Sequence, residues 1–280
     1  MRVLKKGVKW IVIILATLTV LLLLFAEGID RYWGSERGAL HLYSDVQQPK
    51  NIKRTRGGIR YIEIGNPTKP ALLFIHGAPG SLFDGLALAK VDSIYEDFRL
   101  LIIDRPGYGG TRPHKPLPSI WQQAIRCSEV LEPETNKALV VGHSYGAPIG
   151  VIMGALYPDK VDRVVSLSGQ FDPENEIVFP ISYWIKPPLF KWILPRMIWT
   201  SNEEKMNHAK AQKDALNLYP LMQPEVLVVH GDQDNLVPYS NAAFIMRRLP
   251  ESAKLWTLPG KDHPIHITDI DLVIESIYKQ

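Results

Sequence analysis

The sequence has one cysteine, Cys127, so no disulfide can form within the chain and its stability must come from a packed core. In the run Ile125-Arg-Cys-Ser-Glu-Val-Leu131 that cysteine reads as a buried helix position rather than a nucleophile, and it says little about redox compartment. Charge of neither sign is in real excess: 32 Lys+Arg face 29 Asp+Glu, a formal net charge of +3. No basic stripe with interleaved aromatics occurs, which argues against a nucleic-acid partner. Internal repeats and low-complexity tracts are also missing, excluding solenoids and long disordered linkers. The histidines, His76, His143, His230 and His266 among them, do not fall at metal-ligand spacings, so no metal is expected. What remains is 280 residues, enough for one large domain with a modest insertion.

What is present in abundance is the short apolar run that ends in a glycine-rich loop. Lys137-Ala-Leu-Val-Val141 leads into Gly142-His-Ser-Tyr-Gly146, and the small-residue stretch Ala147–Ala155 follows. A strand turning sharply into a helix needs glycine on either side, and such a turn lifts Ser144 clear of the sheet at a helix N-terminus. There the unpaired N–H groups and the helix dipole favour developing negative charge. Upstream, Ala71-Leu-Leu-Phe-Ile75 reads as a strand buried on both faces and ends in His76-Gly77-Ala78-Pro79-Gly80. The N–H of Ala78, with that of Tyr145, is placed to meet a substrate oxygen. Leu100–Ile103 is a third buried strand, and the Asp104 and Arg105 that follow it read as braces for neighbouring loops. Downstream, Val226–His230 and Ala253–Thr257 are further strands, one followed by Asp232 and Asp234 and the other by His263.

These motifs stand in an order that resembles the α/β-hydrolase superfamily over residues about 60 to 280. The resemblance implies an α/β fold, a mostly parallel doubly wound sheet, with catalytic loops at the strand C-termini. It implies Ser144 as nucleophile, His263 as base and Asp234 as acid, with the Ala78 and Tyr145 N–H groups as oxyanion donors. His76, Gly77, Gly142, His143 and Gly146 support the elbow and the oxyanion loop. Asp234 matches the position two residues before Val237-Pro238, whereas Asp232 adjoins the strand; Asp172 is a third candidate acid, and His266 an alternative to His263. That chemistry requires no metal or organic cofactor. Haloalkane dehalogenases and epoxide hydrolases share the fold but use an aspartate where this chain has Ser144.

Outside the motifs, Trp10 to Ala26 is an uncharged apolar stretch preceded by Arg2, Lys5, Lys6 and Lys9. We read residues 1–9 as a basic flank, 10–27 as an uncleaved membrane anchor, with a cleaved signal peptide as the alternative for which Leu24-Phe25-Ala26 offers only a poor site, 28–50 as a tether and 51–280 as the hydrolase domain. The positive-inside rule places the basic flank in the cytoplasm and the domain on the other face of the membrane. Ile59-Arg-Tyr-Ile-Glu-Ile64 alternates as an antiparallel edge strand would, and helices are expected over 82–95, 119–131, 145–157, 240–249 and 267–278. Residues 174–223 interrupt the strand–helix alternation as a lid insertion. Its first half, from Phe179 to Trp199, is rich in aromatics and aliphatics broken by proline. Three roles suit it: covering a pocket for an apolar acyl or aromatic ester, forming a small core of its own, or facing a bilayer. The expected function is ester hydrolysis by a membrane-tethered serine hydrolase on a small ester or lipid-like substrate. The alternatives are a serine aminopeptidase similar to the proline iminopeptidases, for which Glu174, Glu176, Glu203 and Glu204 are unplaced amine-binding candidates, and a catalytically silent binding protein on the same fold. Oligomeric state is not legible.

Overall fold

A computed structural model describes residues 2–132 and 135–279, with the backbone alone for residues 2–9 and 12. The side chains of the expected basic flank, residues 1–9, therefore lie outside the described residues. Eight strands form one sheet: β1 (Lys50–Arg54), β2 (Arg60–Ile64), β3 (Ala71–Ile75), β4 (Arg99–Ile103), β5 (Ala138–His143), β6 (Val161–Leu167), β7 (Glu225–Gly231) and β8 (Lys254–Leu258). Their order is β1-β2-β4-β3-β5-β6-β7-β8. The β1–β2 and β2–β4 pairs are antiparallel and the rest are parallel.

The helices are α1 (Arg2–Gly34), α2 (Glu36–Leu42), α3 (Leu86–Ala89), α4 (Ile94–Asp97), α5 (Ile120–Ser128), α6 (Gly146–Leu156), α7 (Pro180–Trp184), α8 (Phe190–Ile193), α9 (Arg196–Ala215), α10 (Ser240–Met246), α11 (Ile265–Thr268) and α12 (Ile270–Tyr278). Alternate residues of each central strand feed two cores, because successive strand side chains point to opposite faces. Leu73, Ile75, Leu101, Ile103 and Val140 meet α5 and α6 on one face. Leu72, Phe74, Leu100, Ile102 and Val141 join Leu82, Leu88, Val273 and Ile277 on the other. Each such aliphatic side chain contributes roughly 1.5–3 kcal/mol on burial.

The chain winds outward from β3 to β4 and then crosses to β5 on the far side of β3, which makes the β3/β5 boundary a switch point where a crevice opens at the strand C-termini. The register Ile75↔Gly142 fixes what faces what there. It sets the loop starting at His76 beside the turn at Ser144.

Three expectations differ from the structure. The alternating segment 59–64 is not an edge: β2 is buried throughout and β1 covers its outer side. Its charged residues are satisfied internally, Arg60 by Asp104 at 2.6 Å and Glu63 by Arg99 at 2.8 Å and Lys53 at 2.7 Å, so the alternation reflected ion pairs rather than solvent. The segment 82–95 is a 3₁₀ turn (Leu82–Gly85) followed by two short helices. The stretch 28–50 is no loose tether. α1 continues to Gly34, Ser35 caps α2 by accepting from the Gly38 N–H at 2.8 Å, and Ala39, Tyr43 and Val46 are buried in the core. Between β6 and β7, where the lid insertion 174–223 is expected, lie α7, α8, α9 and a 3₁₀ turn (Leu216–Leu221). α1 is long and apolar enough from Ile13 to Gly34 to cross a membrane.

Candidate active site

Ser144 follows the last residue of β5 with φ at +53°, a left-handed conformation costly for any residue but glycine. Close packing holds it there. A Cβ on Gly146 would lie 2.2 Å from the Ile75 carbonyl oxygen, and one on Gly142 would lie 2.5 Å from that of Gly146. Only hydrogen at both positions lets α6 start this close to β3 and β5. Gly77 is less tightly enclosed, its would-be Cβ 3.0 Å from Ser144 Cβ.

Opposite Ser144, β7 and β8 are paired at Gly231↔Leu258, so the loops that follow them run side by side. Asp234 from one loop accepts the backbone N–H groups of Leu236 at 3.0 Å and Val237 at 2.7 Å. Its Oδ2 is 2.7 Å from Nδ1 of His263 on the other loop. The imidazole thus donates through Nδ1, and its neutral form presents Nε2 as an acceptor. His230 Nε2 stands 2.9 Å from the Val237 carbonyl oxygen and 3.3 Å from Asp234 Oδ2, two acceptors, so that nitrogen also carries its proton. Burial alone would raise the Asp234 carboxyl; hydrogen bonds from His230 and His263 hold it well below the ordinary carboxylate range. The rival acids are engaged elsewhere. Asp232 accepts the Gly260 N–H at 2.7 Å, and Asp172 accepts from Glu174 N–H at 2.9 Å and Asn175 Nδ2 at 2.6 Å.

Ser144 and His263 both line a cavity of about 490 Å³, together with Gly77, Ala78, Tyr145, His143 and His266. His143 donates from Nε2 to the His263 carbonyl oxygen at 3.2 Å and lies against His266 with centroids 3.7 Å apart and the rings tilted by 31°. Burial, reinforced by the neighbouring histidines, keeps His143 well below its ordinary value, and the same cause brings His266 down to about 4. Both rings are neutral at neutral pH. His76 is buried and bridges loops, Nδ1 donating to Gly77 O at 2.7 Å and Nε2 accepting the Arg105 N–H at 3.0 Å.

Arg105 is the hub behind this wall. It donates to His76 O at 2.9 Å and Gly77 O at 2.8 Å, and its other donors pair with Glu204 on α9 at 2.7 and 3.0 Å. Gln123 and Tyr108 also hydrogen-bond Glu204, at 2.7 and 2.6 Å. The bracing expected of the loop after β4 therefore extends to the insertion, a link with no local signal in the sequence. Sequence reasoning also passed over Asp84, a cavity-lining carboxyl that burial pushes up to about 7. Its spacing in Ser81-Leu-Phe-Asp84 is that of a helix cap, and Ser81 Oγ does accept the Phe83 N–H at 3.1 Å. Gln170, Ser182, Ser201, Asn202 and Lys205 add to the polar part of the lining. Cys127, buried and pushed up to about 12 by desolvation, is no nucleophile. Among the described residues no group of His, Cys, Asp and Glu could hold a metal ion.

This architecture is that of an α/β-hydrolase, and the chain belongs to the alpha/beta hydrolase family, whose model matches residues 72–275. It is similar to bifunctional epoxide hydrolase 2 of Mus musculus, 31% identical over 149 residues, which covers 49% of this chain and 25% of that protein. Serine hydrolase BPHL of Homo sapiens is 23% identical over 197 residues, covering 62% of this chain and 66% of that one. The match therefore spans only a quarter of the epoxide hydrolase. Among solved structures, carboxylesterase CesB of Bacillus subtilis superposes with a TM-score of 0.66 at 17% identity, over 89% of this chain and 96% of that one. A membrane phospholipase A superposes with a TM-score of 0.61 at 15% identity, over 100% of both chains. At those identities the likeness is one of fold.

Proposed function

We propose that this hydrolase is a membrane-tethered serine hydrolase that cleaves carboxylic esters through an acyl-enzyme. The observation that carries the reading is the 2.7 Å hydrogen bond from His263 Nδ1 to Asp234, with Ser144 held at φ +53° in the wall of the same cavity. His263 Nε2 takes the Ser144 proton as Oγ attacks the ester carbonyl. Asp234 fixes the tautomer and stabilises the imidazolium. The Ala78 and Tyr145 N–H groups meet the oxyanion, each worth roughly 3–4 kcal/mol at the transition state. The alcohol leaves with the proton from His263. Water then adds to the acyl-enzyme with the same histidine as base, releasing the acid.

An epoxide-opening reading by analogy with the named relatives is disfavoured by Ser144, since those enzymes resemble this chain in fold but use an aspartate at the elbow. The aminopeptidase reading needs free carboxylates near the cavity. Glu204 is consumed by Arg105, Glu176 pairs with Lys205 at 2.6 Å, Glu174 pairs with Lys213 at 3.2 Å and Glu203 does not line the cavity, which leaves, among the described residues, the single carboxyl of Asp84 there rather than an acidic pair. The test is labelling of the detergent-solubilised protein with a fluorophosphonate beside Ser144→Ala, then turnover of acyl esters of increasing chain length and of aminoacyl arylamides. Serine-dependent labelling with ester turnover supports the proposal. Arylamide turnover would favour the peptidase, and a folded protein with neither would favour a binding role.

A further inference from the structure

We propose that the outer face of α7 and α8 docks on the lipid bilayer beside α1, so that the cavity takes an ester partitioned in the membrane. This names the substrate class for the hydrolase reading and rests on it. The face is unusually apolar for a surface: Ile181 is 60% exposed, Trp184 75%, Leu189 65% and Trp192 72%. Isolated exposed apolar residues are ordinary, but this many within one short stretch mark an interaction surface.

Its position supplies the partner. α8 packs against α1, and the first residue of α9, Arg196, donates its backbone N–H to both carboxylate oxygens of Asp30 at 2.9 and 3.0 Å. Arg60 donates to the carbonyl oxygens of Trp33 at 2.6 Å and Ser35 at 3.0 Å. The apolar helix is thus bolted to the domain next to this face. From Trp10 to Phe25 the large side chains of α1 stand exposed, and a helix that buries them in hydrocarbon brings the adjoining face to the headgroup level. The chemistry matches that depth. Tryptophan and tyrosine favour the interface, and the exposed Lys186 and Lys191 among them can reach phosphates.

The face also communicates with the cavity. Phe179 and Ile181 line it while remaining 47% and 60% exposed, whereas Trp184 and Trp192 do not line it. Ser182 and Ile185 line the cavity as well, so this segment walls the site with them and meets the lipid with Trp184, while Ile181, exposed on the outer face and lining the cavity, gives an acyl chain an apolar path between the two.

The test uses the full chain reconstituted into vesicles of phosphatidylcholine with phosphatidylglycerol. Trp184→Cys and Trp192→Cys, each carrying an NBD fluorophore, are expected to be quenched by doxyl groups on shallow acyl carbons and shielded from aqueous iodide. The same label at the exposed Glu251 position (Glu251→Cys) reports the solvated end of the domain. Iodide quenching at 184 and 192 equal to that at 251 overturns the proposal. In a kinetic arm, Trp184→Ser with Trp192→Ser is expected to keep turnover of a water-soluble short-chain ester within about twofold and to lower that of a long-chain ester dissolved in the vesicles by about tenfold. Equal effects on the two esters overturn it as well. If the unmodified protein cleaves neither ester, the hydrolase reading fails, while the fluorophores still decide the docking.

Discussion

At the scale of single residues, two carboxyls near the cavity are shifted in opposite directions, and pH separates them. Asp234 is stabilised as an anion, so its contribution to folding is present above the ordinary carboxyl value of 3.8 and is lost as pH falls toward its depressed folded value. Asp84 is raised to about 7, so the folded state is favoured below 3.8 and loses that advantage as pH rises through 7. Asp84→Asn is therefore expected to gain thermal stability over the wild type between pH 4 and pH 8, with no further gain above, as read by melting curves across that range. A gap that does not widen would mean the carboxyl is solvated. For the proposed catalytic set, Ser144→Ala and His263→Ala are each expected to lower kcat/KM by about 10⁴-fold or more with the melting temperature retained. The difference between these groups is also one of legibility. Ser144, Asp234 and His263 sit in loops whose motifs announce them, and the structure brings them to one place. Asp84 sits three residues after a serine in a capping pattern, where a local role hides its exposure to the cavity.

At the scale of elements, the fold depends on approaches too close for any side chain. A methyl group at Gly146 would overlap the Ile75 carbonyl at 2.2 Å, so Gly146→Ala is expected to cost about 1–3 kcal/mol or more, measured by denaturant unfolding, and to displace the serine with it. The buried Arg105–Glu204 pair couples the loop after β4 to α9. Glu204→Ala leaves the guanidinium uncompensated and is expected to destabilise by about 3–5 kcal/mol, whereas replacing both partners with methionine is expected to recover much of the loss. Recovery of stability without recovery of kcat/KM would assign the pair to positioning the oxyanion loop. The central strands were readable because burial on both faces demands unbroken apolar runs such as Ala71–Ile75. β1 was not, since three of the five residues of Lys50-Asn-Ile-Lys-Arg54 are charged and the strand pairs with β2 alone. The joint between α1 and the domain was equally invisible, because each contact pairs a side chain with a backbone group far away in the sequence: Asp30 with the Arg196 N–H of the insertion, and Arg60 of β2 with the carbonyl oxygens of Trp33 and Ser35.

At the scale of the whole molecule, the proposed tether and the proposed docking face constrain each other. A flexible leader would let the domain tumble above the membrane; the joint at Asp30, Trp33 and Ser35 instead fixes its tilt and holds one face down. The side of the bilayer proposed for that face rests on charge. Arg2, Lys5, Lys6 and Lys9 precede the apolar run and Arg31 and Arg37 follow directly beyond it, so the basic excess lies on the N-terminal side and favours a cytoplasmic N-terminus. The full-length chain is expected to remain in the membrane pellet after alkaline carbonate extraction, and Glu251→Cys is expected to react with a membrane-impermeant maleimide in intact cells. Cys127 gives a silent background, being buried with its thiol pushed up to about 12. Labelling only after permeabilisation would put the hydrolase domain in the cytoplasm and require the four basic residues to cross the membrane, and the cavity would then draw its ester from the inner leaflet. Release by carbonate would leave α1 without a bilayer to cross and remove the ground on which the lid face is docked.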